Sequence, residues 1–369
     1  MTQPTSPKKP SKPSLLKSLS FYLSSLFVRN LELPADLGIF ERISQVVASG
    51  ETVLSETINS TAKATLGNLT SFGWAKIGGE LVEESTLKSA HFSANCDHMM
   101  PYLTAKESSS FAAIEECKQR AYKIVTFLLE AKYTQVTLSD VSQNLFTDLS
   151  ALEEIYDIFF TPQSQVGELI VGSMVLVART EHNSYQIALI PDEQGVQVLP
   201  NGVGLYSTTC VIINNQRIVG SCHGSPFSSP SARAKTFAKI TSFLTEKKLP
   251  FHIGGDWNTY CSVDSTKGLN PVNFLPEILL DNDRENIARI RSLPKTMFYN
   301  LPEIPTFLGA SVDDTGISAK LKKFLFSYLI RYKLDVIFSS QKTKIITTKL
   351  PHTDHLAVEM ELERLDKKH

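Results

Sequence analysis

The stretch "IGGDWN", residues 253–258, is a short apolar run that ends abruptly in a carboxylate and an amide. Further along, "LPHTDHLAV", residues 350–358, ends one run and begins another around Asp354 and His355. Each reads as a strand meeting a turn, because Asp, Asn and Gly end strands readily. Whether Asp256, Asn258, Asp354 and His355 meet in one site decides what this chain is.

The same texture recurs upstream. "SAHFSANCD" (89–97) reads as a strand that closes on Asn95 and Asp97, and "YTQVTLSDVSQ" (133–143) as a second strand carrying Asp140. "TTCVIINNQRIVGSCH" (208–223) holds two apolar runs around Asn214–Asn215, a two-residue hairpin turn, and ends on His223. "LDVIFSS" (334–340) opens on Asp335. Further strands are expected in "ELIVGSMVLVAR", "YQIALI", "VQVL", "KIITTKL" and "HLAVEMELE", the last with Leu356, Val358, Met360 and Leu362 alternating. Between them, "ESSSFAAIEECKQRAYKIVTFLLEA" (107–131) and "SARAKTFAKITSFLTEKK" (231–248) have helical period. Many strands with a few interspersed helices predict an α/β sandwich: two packed, mainly antiparallel or mixed sheets flanked by helices.

Composition bounds the alternatives. The chain has 369 residues, 42% hydrophobic and 20% charged, with a formal net charge of −1. A near-neutral balance argues against coating nucleic acid by bulk charge and leaves a local basic groove open. Five scattered cysteines without a C-x-x-C pair exclude the usual structural zinc and fit a reducing compartment. Three segments are expected: a disordered or targeting-like tail over 1–35, a helical extension over 36–87, and the main domain over 88–363. The tail carries Lys8, Lys9, Lys12, Lys17 and Arg29, with "SLLKSLSFYLSSLFV" offering a peripheral membrane contact. The extension rests on the helical spacing of Ile39, Ile43, Val46 and Val47.

Taken singly, each polar strand end has an ordinary explanation as a turn former. Their order and spacing change that. "GGDWN", "HTDHLAV", "KLDVIFSS", "SANCD", the helix and strand ending in "LSDV", and "IVGSCHGSP" closely resemble the successive motifs of the endonuclease/exonuclease/phosphatase superfamily, the DNase I-like hydrolases. The resemblance covers roughly residues 88–363 and implies a four-layered DNase I-like sandwich. It further implies Mg²⁺- or Mn²⁺-dependent hydrolysis of phosphate esters. One position departs from the pattern: Asp140 in "LSDV" stands where the family carries Glu, one methylene longer.

The chemistry suits these residues. Phosphate-ester hydrolysis requires charge neutralisation on the non-bridging oxygens, an activated water and help for the leaving group. Asp140 and Asp354, with Asp97, are the metal-ligand candidates, since Mg²⁺ takes one or two carboxylates plus waters and substrate. Asp256 with Asn258 is assigned to the attacking water, and Asn95 to a phosphoryl oxygen. His355 is assigned to acid–base work or phosphate binding with Asp335 behind its ring, and His223 is a second imidazole.

Substrate is less legible. Lys320, Lys322, Lys323 and Arg331, in a segment rich in bases, are candidate phosphate contacts. The leading expectation is a phosphodiesterase or nuclease acting on nucleic acid. The alternatives are a phosphoinositide phosphatase or sphingomyelinase-like lipid hydrolase, and a degenerate binding or effector protein of the same fold.

Overall fold

Two β-α-β units set the architecture. In one, strand β2 (Lys88–Asn95) runs through helix α1 (Phe111–Ala131) into strand β3 (Tyr133–Ser142); in the other, β10 (Arg217–His223) runs through α3 (Pro230–Lys247) into β11 (Phe251–Asp256). Both strand pairs are parallel, the arrangement that needs a long crossover, and the helices supply it. The computed structural model describes residues 73–97, 111–143, 150–166, 169–193, 195, 197–199, 202–225, 228, 230–258, 284–308, 315–325, 334–350 and 353–363.

The other described elements are β1 (Trp74–Lys76), a 3₁₀ turn (Glu84–Thr86), α2 (Ser150–Glu153), β4 (Tyr156–Val166), β5 (Leu169–Ala178), β6 (Tyr185–Pro191), β7 (Gln197–Leu199), β8 (Gly202–Gly204) and β9 (Ser207–Ile213). After β11 come α4 (Arg284–Arg291), β12 (Phe298–Asn300), α5 (Ile317–Phe324), β13 (Asp335–Ser339), β14 (Ile345–Lys349) and β15 (Leu356–Glu361). One sheet of nine strands has the order β14-β15-β2-β3-β5-β4-β8-β7, with β1 paired to β4; the other, of six, has β12-β13-β11-β10-β9-β6. Neighbours other than the two parallel pairs run antiparallel, so both sheets are mixed.

Each sheet buries its outer face under its crossover helix. Cys117, Ala121, Ile124 and Leu128 of α1 pack on Phe92, Val136 and Leu138, while Phe237, Ile240 and Leu244 of α3 pack on Ile218, Phe251, Ile253 and Phe338. Helix, sheet, sheet and helix make the four layers expected from sequence. The inner faces meet through two apolar clusters: Phe159, Val175 and Val177 against Val211, Ile213 and Val219, and Ile337 against Ile345, Val358 and Met360.

Between those clusters the junction is polar. Strand period two puts His91, Ser93 and Asn95 of β2 on the inner face, opposite to Phe92 and Ala94. Gln135 and Thr137 of β3 lie beside them. Gln135 Oε1 lies 3.2 Å from the Nδ1 of both His91 and His252, joining the two sheets. The Ser221 hydroxyl of β10 donates to the Leu138 carbonyl of β3 at 3.1 Å. Gly254 lets the sheets approach: a Cβ there would stand 2.5 Å from Thr137 Oγ1 and 2.6 Å from Ser93 Cβ. The polar seam leads along the sandwich to the strand ends where the candidate residues sit.

The hairpin at Asn214–Asn215 forms as expected, with φ of 53° at both residues joining β9 to β10. The segment 36–87 differs from expectation where it is described. Residues 73–87 form β1 and one 3₁₀ turn rather than a helix. Trp74 stacks on Phe160 at 5.4 Å, and its strand pairs with β4, which demands extended backbone. Arg179 ties the same segment down by donating to Asp157 and to the Glu80, Glu153 and Tyr156 carbonyls. The sandwich therefore begins before residue 88. The expected tail over 1–35 and residues 36–72 of the extension lie outside the described residues. Of the cysteines, Cys96, Cys117, Cys210 and Cys222 are buried thiols outside any disulfide; Cys261 lies outside the described residues.

Candidate active site

Parallel strands deliver their C-terminal ends to one edge. β2 ends at Asn95, followed by Asp97; β3 carries Asp140 near its end; β10 ends at His223; and β11 ends at Asp256, followed by Asn258. The antiparallel neighbours start at the same edge, β13 with Asp335 and β15 just after Asp354 and His355. All nine are at least nine-tenths buried. Register confirms the alignment, since His223 pairs with Asp256 and Asp256 with Asp335.

Side chains then cross from sheet to sheet. The Asn95 amide donates to Asp256 Oδ2 at 3.0 Å. His355 Nδ1 donates to Asp335 Oδ2 at 2.7 Å, which aims Nε2 towards Asp256 Oδ2 and Asp354 Oδ1, at 3.9 and 3.7 Å. Asp256 is fixed on its other oxygen by the Asn258 backbone N–H at 2.8 Å, and the Asn258 amide donates to the Gly224 carbonyl at 2.7 Å. Phe307 packs its ring against His355 at 5.1 Å.

The backbone at these positions is unusual. Asp97, Asp140 and Asn258 have φ of 51°, 53° and 45°, the left-handed region that Asp and Asn tolerate best and that clusters at functional sites. Asp140 lies in an interruption of the β3–β5 ladder between Leu138 and Val141. Such bulges re-aim a side chain. A carboxylate one methylene shorter than Glu is thus presented from a locally displaced backbone. In "GGDWN", Gly255 adopts φ of 145°, and a Cβ there would stand 1.8 Å from the Cys222 carbonyl oxygen. Only glycine can precede Asp256 in this geometry.

Charge is distributed unevenly. Burial pulls the His355 pKa down, but Asp335, Asp354 and Asp256 together carry it well above the usual imidazole range. Burial raises Asp256 to about 6, opposed by His355 and by the Asn258 and Asn95 hydrogen bonds. His223 is driven down to about 3 by burial and by repulsion from His355, so it stays neutral, with its ring edge-on to Tyr206 at 5.2 Å. Burial and the neighbouring Asp354 and Asp140 carboxylates raise Asp97 well above its ordinary range, against the pull of Arg120. At neutral pH the arrangement presents an imidazolium beside the Asp256 carboxylate, an acid and a base whose environments set them apart.

The carboxylate group Asp97, Asp140 and Asp354 offers hard oxygen donors, the set that suits Mg²⁺ or Mn²⁺. Asp97 is already engaged: Arg120 Nη1 donates to its Oδ2 and its carbonyl, each at 2.6 Å. Among the described residues no three His, Cys, Asp or Glu side chains are close enough to enclose a metal by themselves.

No family model matches this chain, and no curated protein sequence does. Solved structures do. The chain is similar to D. rerio TDP2 complexed with a single-strand DNA product, at 13% identity and TM-score 0.48, over 74% of this chain and 98% of that one. It is similar to the Bacteroides thetaiotaomicron mannosyl-6-phosphatase, at 12% identity and TM-score 0.46, over 74% and 99% of the two chains. It is also similar to an endonuclease/exonuclease/phosphatase family protein of Leptotrichia buccalis, at 16% identity and TM-score 0.45, over 74% and 99%. The likeness is one of fold.

Several participants were not read from sequence. Arg120 sits on the buried face of α1 among Cys117, Ala121 and Ile124, and a charged residue on an apolar stripe was the available signal. Thr353 donates to the Asn95 carbonyl and accepts the His355 N–H, both at 3.1 Å. Thr306 accepts the N–H groups of Leu334 and Asp335, at 2.9 and 3.0 Å. Of the expected phosphate contacts, Lys320 is exposed and Lys322 and Lys323 are half-buried on α5, while Arg331 lies outside the described residues.

Proposed function

We propose that this edge hydrolyses phosphate esters, with a phosphodiester of nucleic acid as the first substrate class. The observation that carries the proposal is the pair of bonds made across the sheet junction, Asn95 to Asp256 and His355 to Asp335. They hold a carboxylate and an imidazolium facing one gap, so that Asp256 can orient or deprotonate a water while His355 protonates the departing oxygen or binds the phosphate. Asn258 fixes Asp256 through its backbone N–H, and Asn95 presents its amide at the same place. His223, neutral, can donate one hydrogen bond to a phosphoryl oxygen and accept none of the proton traffic. A divalent cation on Asp140 and Asp354, with Asp97 behind them, would supply charge neutralisation at the non-bridging oxygens. Nucleic acid comes first because the Asn95-x-Asp97 spacing and the plain "LDVIFSS" strand resemble the nuclease branch.

A nicking assay on plasmid and abasic DNA, run beside phosphate release from phosphoinositides, with Mg²⁺, Mn²⁺ or EDTA, tests this. DNA cleavage that EDTA abolishes is expected. Asp256→Ala and His355→Ala should each lower it by ~10²–10⁴-fold, the scale of a lost acid–base group. Lack of turnover on every substrate would leave the binding or effector reading. A lipid headgroup substrate is the second reading, favoured by the His223 imidazole at the end of β10, which resembles the lipid-phosphodiesterase and phosphatase branches.

A further inference from the structure

Asp97 is the first residue past the end of the β2–β3 ladder. The Cys96 N–H still donates to the Ser139 carbonyl at 2.9 Å, and the chain then turns, with Asp97 at φ of 51°. Arg120 holds that turn from α1. A single guanidinium nitrogen, Nη1, donates to both the Asp97 carbonyl and its Oδ2, each at 2.6 Å. Main chain and side chain of Asp97 are thereby fixed against each other in the left-handed region, which residues other than glycine enter only when something holds them there. An ion pair that merely braced α1 against β2 would need the carboxylate alone; the bond to the carbonyl ties Arg120 to the turn.

The turn in its place sets Asn95. The Asp97 N–H donates to Asn95 Oδ1 at 2.8 Å, an Asx turn. An Asn side chain carries an acceptor at one end and two donors at the other. With a donor on Oδ1, the amide nitrogen is the end that faces the opposite sheet, where it donates to Asp256 Oδ2 at 3.0 Å. An ionised carboxylate accepts and cannot donate, so Asn95 cannot reverse at either end. The Asn95 backbone is anchored separately, by pairing with β3 and by the Thr353 hydroxyl on its carbonyl. Rotation of the side chain is the freedom those anchors leave, and the Asp97 N–H removes it.

The two oxygens of Asp256 are therefore held in different ways. Oδ1 takes the Asn258 N–H from two residues along its own chain, at 2.8 Å. Oδ2 is held from the other sheet by bonds in series that begin on a helix: Arg120 to Asp97, Asp97 to Asn95, Asn95 to Asp256. Arg120 is placed for this by the apolar stripe it interrupts, three residues after Cys117 and four before Ile124. Helical side chains lean towards the helix N-terminus, and in a β-α-β unit that end of the helix lies at the edge where the first strand ends.

We propose that Arg120 is a positioning residue for the proposed hydrolysis, acting through Asp97 and Asn95 on the Asp256 carboxylate. Its effect on rate rests on the hydrolytic reading of this edge; its effect on Asn95 rests on the geometry alone.

Arg120→Lys tests this, because the ammonium keeps the charge beside Asp97 on a shorter stem. Turnover is measured with saturating Mg²⁺ on a labelled DNA oligonucleotide, or on a soluble phosphoinositide if that is what wild type cleaves. Arg120→Lys should lower kcat by ~10-fold and leave KM within ~2-fold, since the loss falls on the reacting groups and not on binding. In an Asn95→Ala background the same change should lower kcat by less than ~2-fold, because the link it works through is gone. Circular dichroism at the assay temperature should match wild type, and Arg120→Gln serves as a second variant throughout. Metal-free protein labelled with ¹⁵N-asparagine gives a readout independent of turnover. The Asn95 side-chain amide signals, identified by their loss in Asn95→Ala, should move in Arg120→Lys. Equal losses of kcat in the two backgrounds would mean that Arg120 only braces the fold, and unmoved Asn95 signals would break the relay. Either result overturns the proposal, as does wild-type kcat in Arg120→Lys. A wild type that cleaves neither DNA nor phosphoinositides, with Asn95 signals that still move, would sink the proposed function and leave the positioning standing.

Discussion

The Asp335 carboxylate holds His355 Nδ1 at 2.7 Å across the junction of the two sheets, so the imidazole is oriented by a strand of the sheet to which it does not belong. Both partners are almost fully buried, with side-chain exposures of 7% and 1%. The geometry makes His355 an imidazolium where an ordinary histidine is neutral. In EDTA-treated protein, NMR titration should find the ring still protonated at pH 7.5. Asp335→Asn should bring it below that pH and reduce turnover by ~10²–10⁴-fold. A wild-type ring already neutral at pH 6.5 contradicts the arrangement.

The Arg120–Asp97 pair is buried on both sides, 7% and 9% exposed. Removing one partner of such a pair leaves the other as an uncompensated charge. Arg120→Leu should lower stability in urea by ~3 kcal/mol at pH 8. The loss should be smaller at pH 5, where Asp97, raised further without Arg120, takes up a proton. Adding Asp97→Asn to Arg120→Leu should recover part of the deficit at pH 8. Equal stability of Arg120→Leu and wild type at pH 8 would show that the pair contributes nothing net.

Two glycines separate steric from backbone effects. Gly255→Ala places a Cβ 1.8 Å from a carbonyl oxygen of the neighbouring strand, whereas Gly195, at φ of 70°, has nothing within 4 Å. Alanine at Gly195 should cost ~1 kcal/mol, the backbone penalty alone. Alanine at Gly255 should cost ~4 kcal/mol or more and reduce soluble yield. Thermal melts of the two variants decide it; similar melting points refute the close approach.

Acid should loosen the seam at the end away from the site. His91 and His252 are held neutral, with pKa values pushed down to about 4 and about 3, chiefly by burial. A depressed folded-state pKa gives stability that is complete above the unfolded value of 6.5 and lost as pH falls towards those numbers. Between pH 7.5 and 5 each histidine should cost ~2 kcal/mol. Gln135 and Thr137 face the pair from β3, and Arg217 and Gln341 lie on the His252 side. Urea unfolding of His91→Gln at both pH values should show a smaller acid loss than wild type; parallel losses would reject the linkage.

Much of the site could be read from sequence because its residues sit beside apolar runs. A strand that ends in Asp or Asn declares both its direction and its polar tip, and parallel crossovers then bring the tips together. "SANCD", "LSDV", "GGDWN" and "HTDH" were legible for that reason. Arg120 and Thr306 were not, because each acts through a partner that only tertiary folding supplies. The polar seam was hidden for a similar cause. His91, Ser93 and Gln135 look like solvent-facing positions of half-buried strands until a second sheet covers them. β1 escaped notice because three residues carry no period, and its partner Phe160 lies far along the chain.

The cross-sheet wiring of the site has a consequence for how the chain comes into its chemistry. Asn95 and Asp97 are made early, Asp354 and His355 late, and the groups that complete one another are never neighbours in time. A chain that has emerged beyond Asp256 but short of Asp335 carries that carboxylate without the imidazole that faces it. Under the proposed function, hydrolysis waits until both halves are seated, and turnover then reports assembly more sensitively than helix or strand content can.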